Sequence, residues 1–115
     1  MEEGFSGQIE DLVCTRARRA LALGCDGVVC SGLEAKRLRQ NLGNRFFIVT
    51  PGIRPQKGLD ISGDDQKRIV TVEQAIANGA DYLVIGRPIR TAKDPVSTVE
   101  HIREEILQGL DKAST

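Results

Sequence analysis

The 115-residue chain has no tryptophan, three phenylalanines and one tyrosine, too few aromatics for a row of base-stacking side chains. It has no excess of either charge: Lys and Arg together number 16, and so do Asp and Glu. No global field therefore draws it to nucleic acid or to an anionic membrane surface. No apolar run approaches the length of a membrane span. The start, Met1-Glu2-Glu3-Gly4, lacks the basic and apolar regions of a secretory signal, and cytoplasmic residence is the expectation. Cys14, Cys25 and Cys30 are an odd set without C-x-x-C spacing, and the one histidine, His101, is remote in sequence. That pattern suits reduced thiols rather than structural zinc. G-x-G-x-x-G and Walker spacings are missing too, so nucleoside triphosphate chemistry has no support. With His101 inside a helical pattern, no Ser-His-Asp or Cys-His set can be assembled either.

What is present is a globular composition, 40% apolar and 28% charged, and enough length for one domain over 1–115 with a modest core. Ile9, Leu12, Val13, Ala17, Ala20 and Leu21 recur at three- and four-residue steps, as in an amphipathic helix, and Gly24 ends it. Gly27-Val28-Val29-Cys30 is a short continuous apolar run, the pattern of a parallel strand buried on both faces. Ala35, Leu38 and Leu42 define a second helix, closed by Gly43, and Phe46-Phe47-Ile48-Val49 a second strand. Residues 51–67, rich in proline, glycine and polar side chains, predict a long irregular loop. Thr71 and Gln74 form a capping box for a third helix carrying Val72, Ala75 and Ile76, which stops at Gly79. Tyr82-Leu83-Val84-Ile85 is the third strand. Asp94-Pro95 opens a last helix with Val99, Ile102, Ile106 and Leu110 inward, and the tail from Asp111 is expected to fray. Strands alternating with helices imply an α/β fold with a parallel sheet and right-handed crossovers.

In such folds ligands gather at the carboxyl ends of the strands. Three ends are available: Ser31-Gly32, Thr50-Pro51-Gly52 and Gly86-Arg87. Gly86 allows close approach of main chain to a ligand, Arg87 offers a planar fork of donors suited to phosphate oxygens, and Thr91 follows as a further donor. Arg54 and Gln66 bracket the long loop, which can close over an anion and exclude water. Taken singly, each has a plainer reading. Arg87 is equally a surface cation beside a turn glycine, Gln66 a solvated amide, and Arg54 a partner of Asp60, Asp64 or Asp65. The basic runs Arg16, Arg18, Arg19 and Lys36, Arg37, Arg39 are read as solvated helix faces, and His101 as a helix-surface residue.

Four runs in fixed order carry a family resemblance: Gly27-Val28-Val29-Cys30-Ser31, Val49-Thr50-Pro51-Gly52-Ile53-Arg54-Pro55, Gly63-Asp64-Asp65-Gln66-Lys67-Arg68 and Tyr82-Leu83-Val84-Ile85-Gly86-Arg87-Pro88-Ile89. They resemble bacterial orotidine 5'-phosphate decarboxylase over nearly the whole chain. The resemblance implies the C-terminal part of a (β/α)8 TIM barrel, three parallel strands with flanking helices. It implies orotidine 5'-phosphate and UMP as ligands, Arg54, Gln66, Gly86 and Arg87 as contacts to the 5'-phosphate, and Thr50 and Pro51 as a wall of the pyrimidine pocket. It also implies chemistry without metal or cofactor, and a homodimer for the full-length protein. The family's D-x-K-x-x-D signature is not in this chain: counted from Asp65 and Lys67, its last position is Val70. The expectation is a binding half that needs an N-terminal barrel portion to react. The alternative kept open is a non-catalytic phosphate- or nucleotide-binding α/β module.

Overall fold

The computed structural model describes residues 9–55 and 70–113. The elements follow in order as helix α1 (Ile9–Ala22), strand β1 (Gly27–Val29), helix α2 (Gly32–Leu42), strands β2 (Phe47–Thr50), β3 (Ile53–Arg54) and β4 (Val70–Thr71), helix α3 (Val72–Ala77), strand β5 (Tyr82–Leu83), and helices α4 (Arg87–Arg90) and α5 (Pro95–Ala113). The sheet order is β1-β2-β5, all parallel, in the registers Gly27↔Phe47 and Thr50↔Leu83. The expected parallel α/β arrangement is present.

One expectation fails inside the loop. Residues 51–67 do not start as irregular chain. Gly52, at φ +73°, turns β2 into β3, which pairs in parallel with β4 through Ile53↔Val70 and Arg54↔Thr71. Two residues are too few to show a period of two, so this pair had no pattern to betray it. Its effect is to pin together the two sides of the stretch that carries residues 56–69.

The strands are also not buried on both faces. Register puts Val28, Cys30, Ile48, Thr50, Leu83 and Ile85 on one side, where all but Thr50 join or pack against the core with Ala17, Leu38 and Ile102. Val29, Phe47, Tyr82 and Val84 fall on the other side and are exposed. Phe47 and Tyr82 meet there with ring centroids 5.8 Å apart. Among the described residues helices cover one face only, and a continuous apolar run cannot reveal that, because it records what a strand can bury rather than what arrives to bury it.

Local signals fare better. Thr71 caps α3, its Oγ1 accepting from the Gln74 N–H while Gln74 Oε1 accepts from the Thr71 N–H. An equivalent box, Ser31 with Glu34, opens α2. The last helix begins at Pro95, but its buried line is Ile102, Glu105 and Gly109, while Val99 and Leu110 are exposed. The cause is α3 crossing it. A Cβ at Gly109 would lie 2.7 Å from the Glu73 carbonyl oxygen and from Ile76 Cβ, so glycine lets the helices approach and sets which line faces inward. The tail does not fray at Asp111: the helix runs to Ala113, and Lys112 Nζ lies 2.7 Å from Glu73 Oε2.

Candidate functional site

Because the sheet is parallel, the carboxyl ends of β1, β2 and β5 lie along one edge of the molecule. The Val84 N–H donates to the Thr50 carbonyl at 2.9 Å. That bond sets the Thr50-Pro51-Gly52 turn beside the Val84-Ile85-Gly86 segment. At Ser31 the third strand end is already committed, since its Oγ accepts from the Glu34 N–H at 3.3 Å in the α2 cap.

At the β5 end, Gly86 precedes α4, and its carbonyl accepts from the Ile89 and Arg90 N–H groups at 3.1 and 2.9 Å. No described residue lies within 4 Å of the place a Cβ would occupy at Gly86, so among the described residues the main chain here is open to an incoming group. Arg87 is exposed. Short helix α4 was not anticipated, and it redirects Thr91. The Thr91 hydroxyl donates to the Arg87 carbonyl at 2.8 Å, so it buttresses the turn instead of pointing a donor outward.

Arg54 is half-buried on β3, opposite Thr71. It stands four positions past Thr50 on the chain that leaves the same strand end. Gln66 lies outside the described residues. The Thr50 side chain is completely buried on the Ile48 side of the sheet, its hydroxyl without a partner among the described residues, while Pro51 is exposed at the strand end. Any contact from Thr50 to a ligand on the open side would come from main chain. Thus Pro51, Gly86 and Arg87 are drawn to neighbouring strand ends, and Arg54 to the adjoining two-stranded pair. Two guanidinium groups and an open glycine backbone suit a doubly charged oxyanion.

The opposite end of the sheet corrects another reading. Arg39 is not on a solvated face. Its Nε and Nη2 donate to the Gly79 carbonyl at 3.0 and 2.8 Å and its Nη1 to the Phe46 carbonyl at 2.8 Å. Its Nη2 also lies 2.6 Å from Asp81 Oδ2, and the guanidinium carbon sits 4.7 Å from the Phe46 ring centroid. Asp81 Oδ2 accepts from the Ile48 N–H as well, at 2.8 Å. This clamp ties α2, β2 and the turn before β5 at the amino end, which keeps the carboxyl ends aligned. Sequence gave no sign that Arg39 differs from Arg37, which pairs with exposed Asp11 on α1.

Among the described residues no group of His, Cys, Asp or Glu could hold a metal ion. None of their helices is long and apolar enough to cross a membrane. His101 is half-exposed on α5, its Nδ1 4.0 Å from Glu104 Oε2. Cys14 and Cys30 are buried, Cys25 is exposed, and all three are free thiols.

Comparison with known proteins gives the wider context. The orotidine 5'-phosphate decarboxylase of Methylococcus capsulatus is 52% identical over 103 residues, 90% of this chain and 42% of the relative. That of Nitrobacter winogradskyi is 50% identical over 109 residues, 95% of this chain and 44% of the relative. The crystal structure of the Lactobacillus acidophilus orotidine 5'-phosphate decarboxylase superposes with a TM-score of 0.70 at 36% identity, covering 91% of this chain and 41% of that one. The fold therefore matches a portion of the TIM-barrel structures of these enzymes. The chain spans less than half the length of the curated relatives it matches. The model of the orotidine 5'-phosphate decarboxylase / HUMPS family matches residues 1–102, and the chain belongs to that family.

Proposed function

We propose that this chain supplies the phosphate-gripping part of an orotidine 5'-phosphate decarboxylase, which converts orotidine 5'-phosphate to UMP and carbon dioxide in pyrimidine biosynthesis. Arg54, Gln66, Gly86 and Arg87 hold the 5'-phosphate, and Pro51 with the Thr50 main chain borders the base. The observation that carries this reading is the hydrogen bond from Val84 N–H to the Thr50 carbonyl. It sets the Thr50-Pro51-Gly52 turn against the segment leading to Gly86 and Arg87, where no described residue crowds Gly86.

The phosphate is remote from the bond that breaks. Its binding energy can still organise the reacting end and close the loop over the substrate, which raises turnover and not affinity alone. The proton that replaces carbon dioxide at C6 comes from a lysine of the D-x-K-x-x-D set, carried by the part of the barrel outside this chain. No step needs a metal or cofactor. Alone, the chain binds and does not react; the competent enzyme is its assembly with the complementary barrel portion, as a homodimer of complete barrels.

The test is to co-express the chain with a complementary portion carrying D-x-K-x-x-D and follow orotidine 5'-phosphate decarboxylation. Arg87→Ala and Arg54→Ala are each expected to lower kcat/KM by about ten- to hundredfold, the loss of one charge-assisted phosphate contact. The chain by itself is expected to bind UMP, weakened by Arg87→Ala, and to release no carbon dioxide. Turnover by the isolated chain, or an Arg87→Ala assembly as active as the parent, would refute the assignment.

A further inference from the structure

Helix α4, which opens at Arg87 directly after Gly86, is four residues long. Two main-chain bonds of α-helical span hold it: the Arg90 N–H donates to the Gly86 carbonyl and the Thr91 N–H to the Arg87 carbonyl, each at 2.9 Å. A helix this short does not sustain itself, because fixing its first turn costs more than so few bonds return. Gly86 supplies no side-chain cap at its start. Pro88 works against it too, since a proline ring disfavours helical dihedrals at the residue before it, here Arg87. The main-chain position of Arg87 therefore depends on what supports α4 beyond those two bonds.

Ile89 gives one support by packing against the core. The other is the Thr91 hydroxyl, which donates to the Arg87 carbonyl at 2.8 Å. A carbonyl only accepts, so the single hydroxyl hydrogen is committed there and is not free for a phosphate oxygen. The same bond, from a threonine to the carbonyl four positions back, joins Thr15 to Asp11 at 2.9 Å and Thr98 to Asp94 at 3.2 Å. Those threonines lie in helices of 14 and 19 residues, which hold without one more bond. In α4 the hydroxyl adds a third bond to a unit that has two.

We propose that Thr91 is a positioning residue for the phosphate grip. By holding the Arg87 carbonyl, its hydroxyl fixes the main chain from which Gly86 and the Arg87 guanidinium meet the oxyanion. This rests on the reading that Gly86 and Arg87 contact the 5'-phosphate, and it adds a residue that supports the contact without touching the ligand. Without the hydroxyl, α4 samples extended chain before binding, and ordering it again consumes part of what the guanidinium contact returns. The effect of Thr91 is thus conditional on Arg87, which a direct contact or a general loss of stability would not be.

The experiment titrates UMP into the full chain and its variants, with affinity read from amide chemical shifts. Thr91→Val keeps the shape and removes the hydroxyl, and is expected to weaken binding about fivefold, the loss of one neutral hydrogen bond. Thr91→Ser keeps the hydroxyl and is expected to stay within about twofold of the parent. Thr98→Val removes the same kind of bond from α5 and is expected to leave affinity unchanged. In an Arg87→Ala background, Thr91→Val is expected to change affinity by less than about twofold, because the side chain it positions is gone. A full loss in that background would mean that Thr91 touches the ligand or acts on the whole fold, and would overturn the proposal. Where Arg87→Ala weakens binding and Thr91→Val does not, the proposal alone fails. Where the parent binds no UMP, or Arg87→Ala binds it as tightly as the parent, the phosphate reading fails and the proposal with it.

Discussion

Arg39 offers the sharpest test of how the fold holds its strand ends in place. Its side chain is 13% exposed, against 38% for its partner Asp81, and it donates to the Gly79 and Phe46 carbonyls as well. Hydrogen bonds to charged groups contribute about 1.5–3 kcal/mol each. Here they share one guanidinium, and water reaches Asp81, so they do not add. Freeing the side chain returns about 2 kcal/mol of rotamer entropy. The net loss expected for Arg39→Ala is about 3 kcal/mol, most of it from main-chain carbonyls and a carboxylate left without their donor. Arg39→Lys keeps the charge, but one compact ammonium nitrogen cannot reach the acceptors that Nε, Nη1 and Nη2 reach from separate positions on the fork, and a loss of about 2 kcal/mol is expected. The internal control is Arg37→Ala. Its pair with Asp11 is 44% and 52% exposed, where the cost is about 0–1 kcal/mol. Urea unfolding followed by far-ultraviolet circular dichroism reads each difference from the midpoint shift at constant slope. If the parent stability is below the predicted loss, Arg39→Ala loses its helical signal without denaturant. An Arg39→Ala protein no less stable than Arg37→Ala would refute the reasoning.

Three further outcomes are expected. Gly109→Ala places a methyl 2.7 Å from the Glu73 carbonyl oxygen and Ile76 Cβ and should lower stability by about 1–3 kcal/mol, while Gln108→Ala on the exposed side stays within about 0.5 kcal/mol; equal melting temperatures would mean α3 and α5 are not held this close. Thr50→Val replaces a buried hydroxyl that has no partner among the described residues with a methyl of similar size and should be neutral or stabilising by about 1 kcal/mol; a clear loss in chemical denaturation would mean the hydroxyl is bonded. Burial, reinforced by Glu34, pushes the Cys30 thiol up from 9.0 to about 11. The unfolded thiol then ionises first, so the native state holds more protons across that window, and stability present below pH 9.0 is lost as pH rises toward about 11. Cys30→Ala should flatten that slope in pH-dependent melts, and an unchanged slope would assign it to another group.

Much of this was legible in the chain because it is local. The Thr71-x-x-Gln74 box caps α3 through bonds spanning three residues, and Pro95 opens α5 as its fixed φ predicts. The parallel α/β order followed from the alternation of periods, and the candidate phosphate contacts from motifs at strand ends. Apart from the short helix α4 and the Thr91 hydroxyl it redirects, the misreadings are non-local. The β3–β4 pair joins Ile53 to Val70 and Arg54 to Thr71, residues far apart in sequence. Arg39 reaches Gly79 and Asp81 some forty positions away, and α3 selects the Glu105–Gly109 side of α5 over Val99 and Leu110. At the candidate site, the sequence could nominate Thr50 but not the side of the sheet its side chain takes, which depends on register with Leu83.

By itself the sequence determined the order of elements, their caps and turns, and which residues arrive at strand ends, since these depend on dihedral preference and spacing over a few residues. Tertiary structure alone decided which face of the sheet the helices cover and which arginine becomes a clamp. Those outcomes depend on contacts whose free energy appears only when distant segments meet and water leaves.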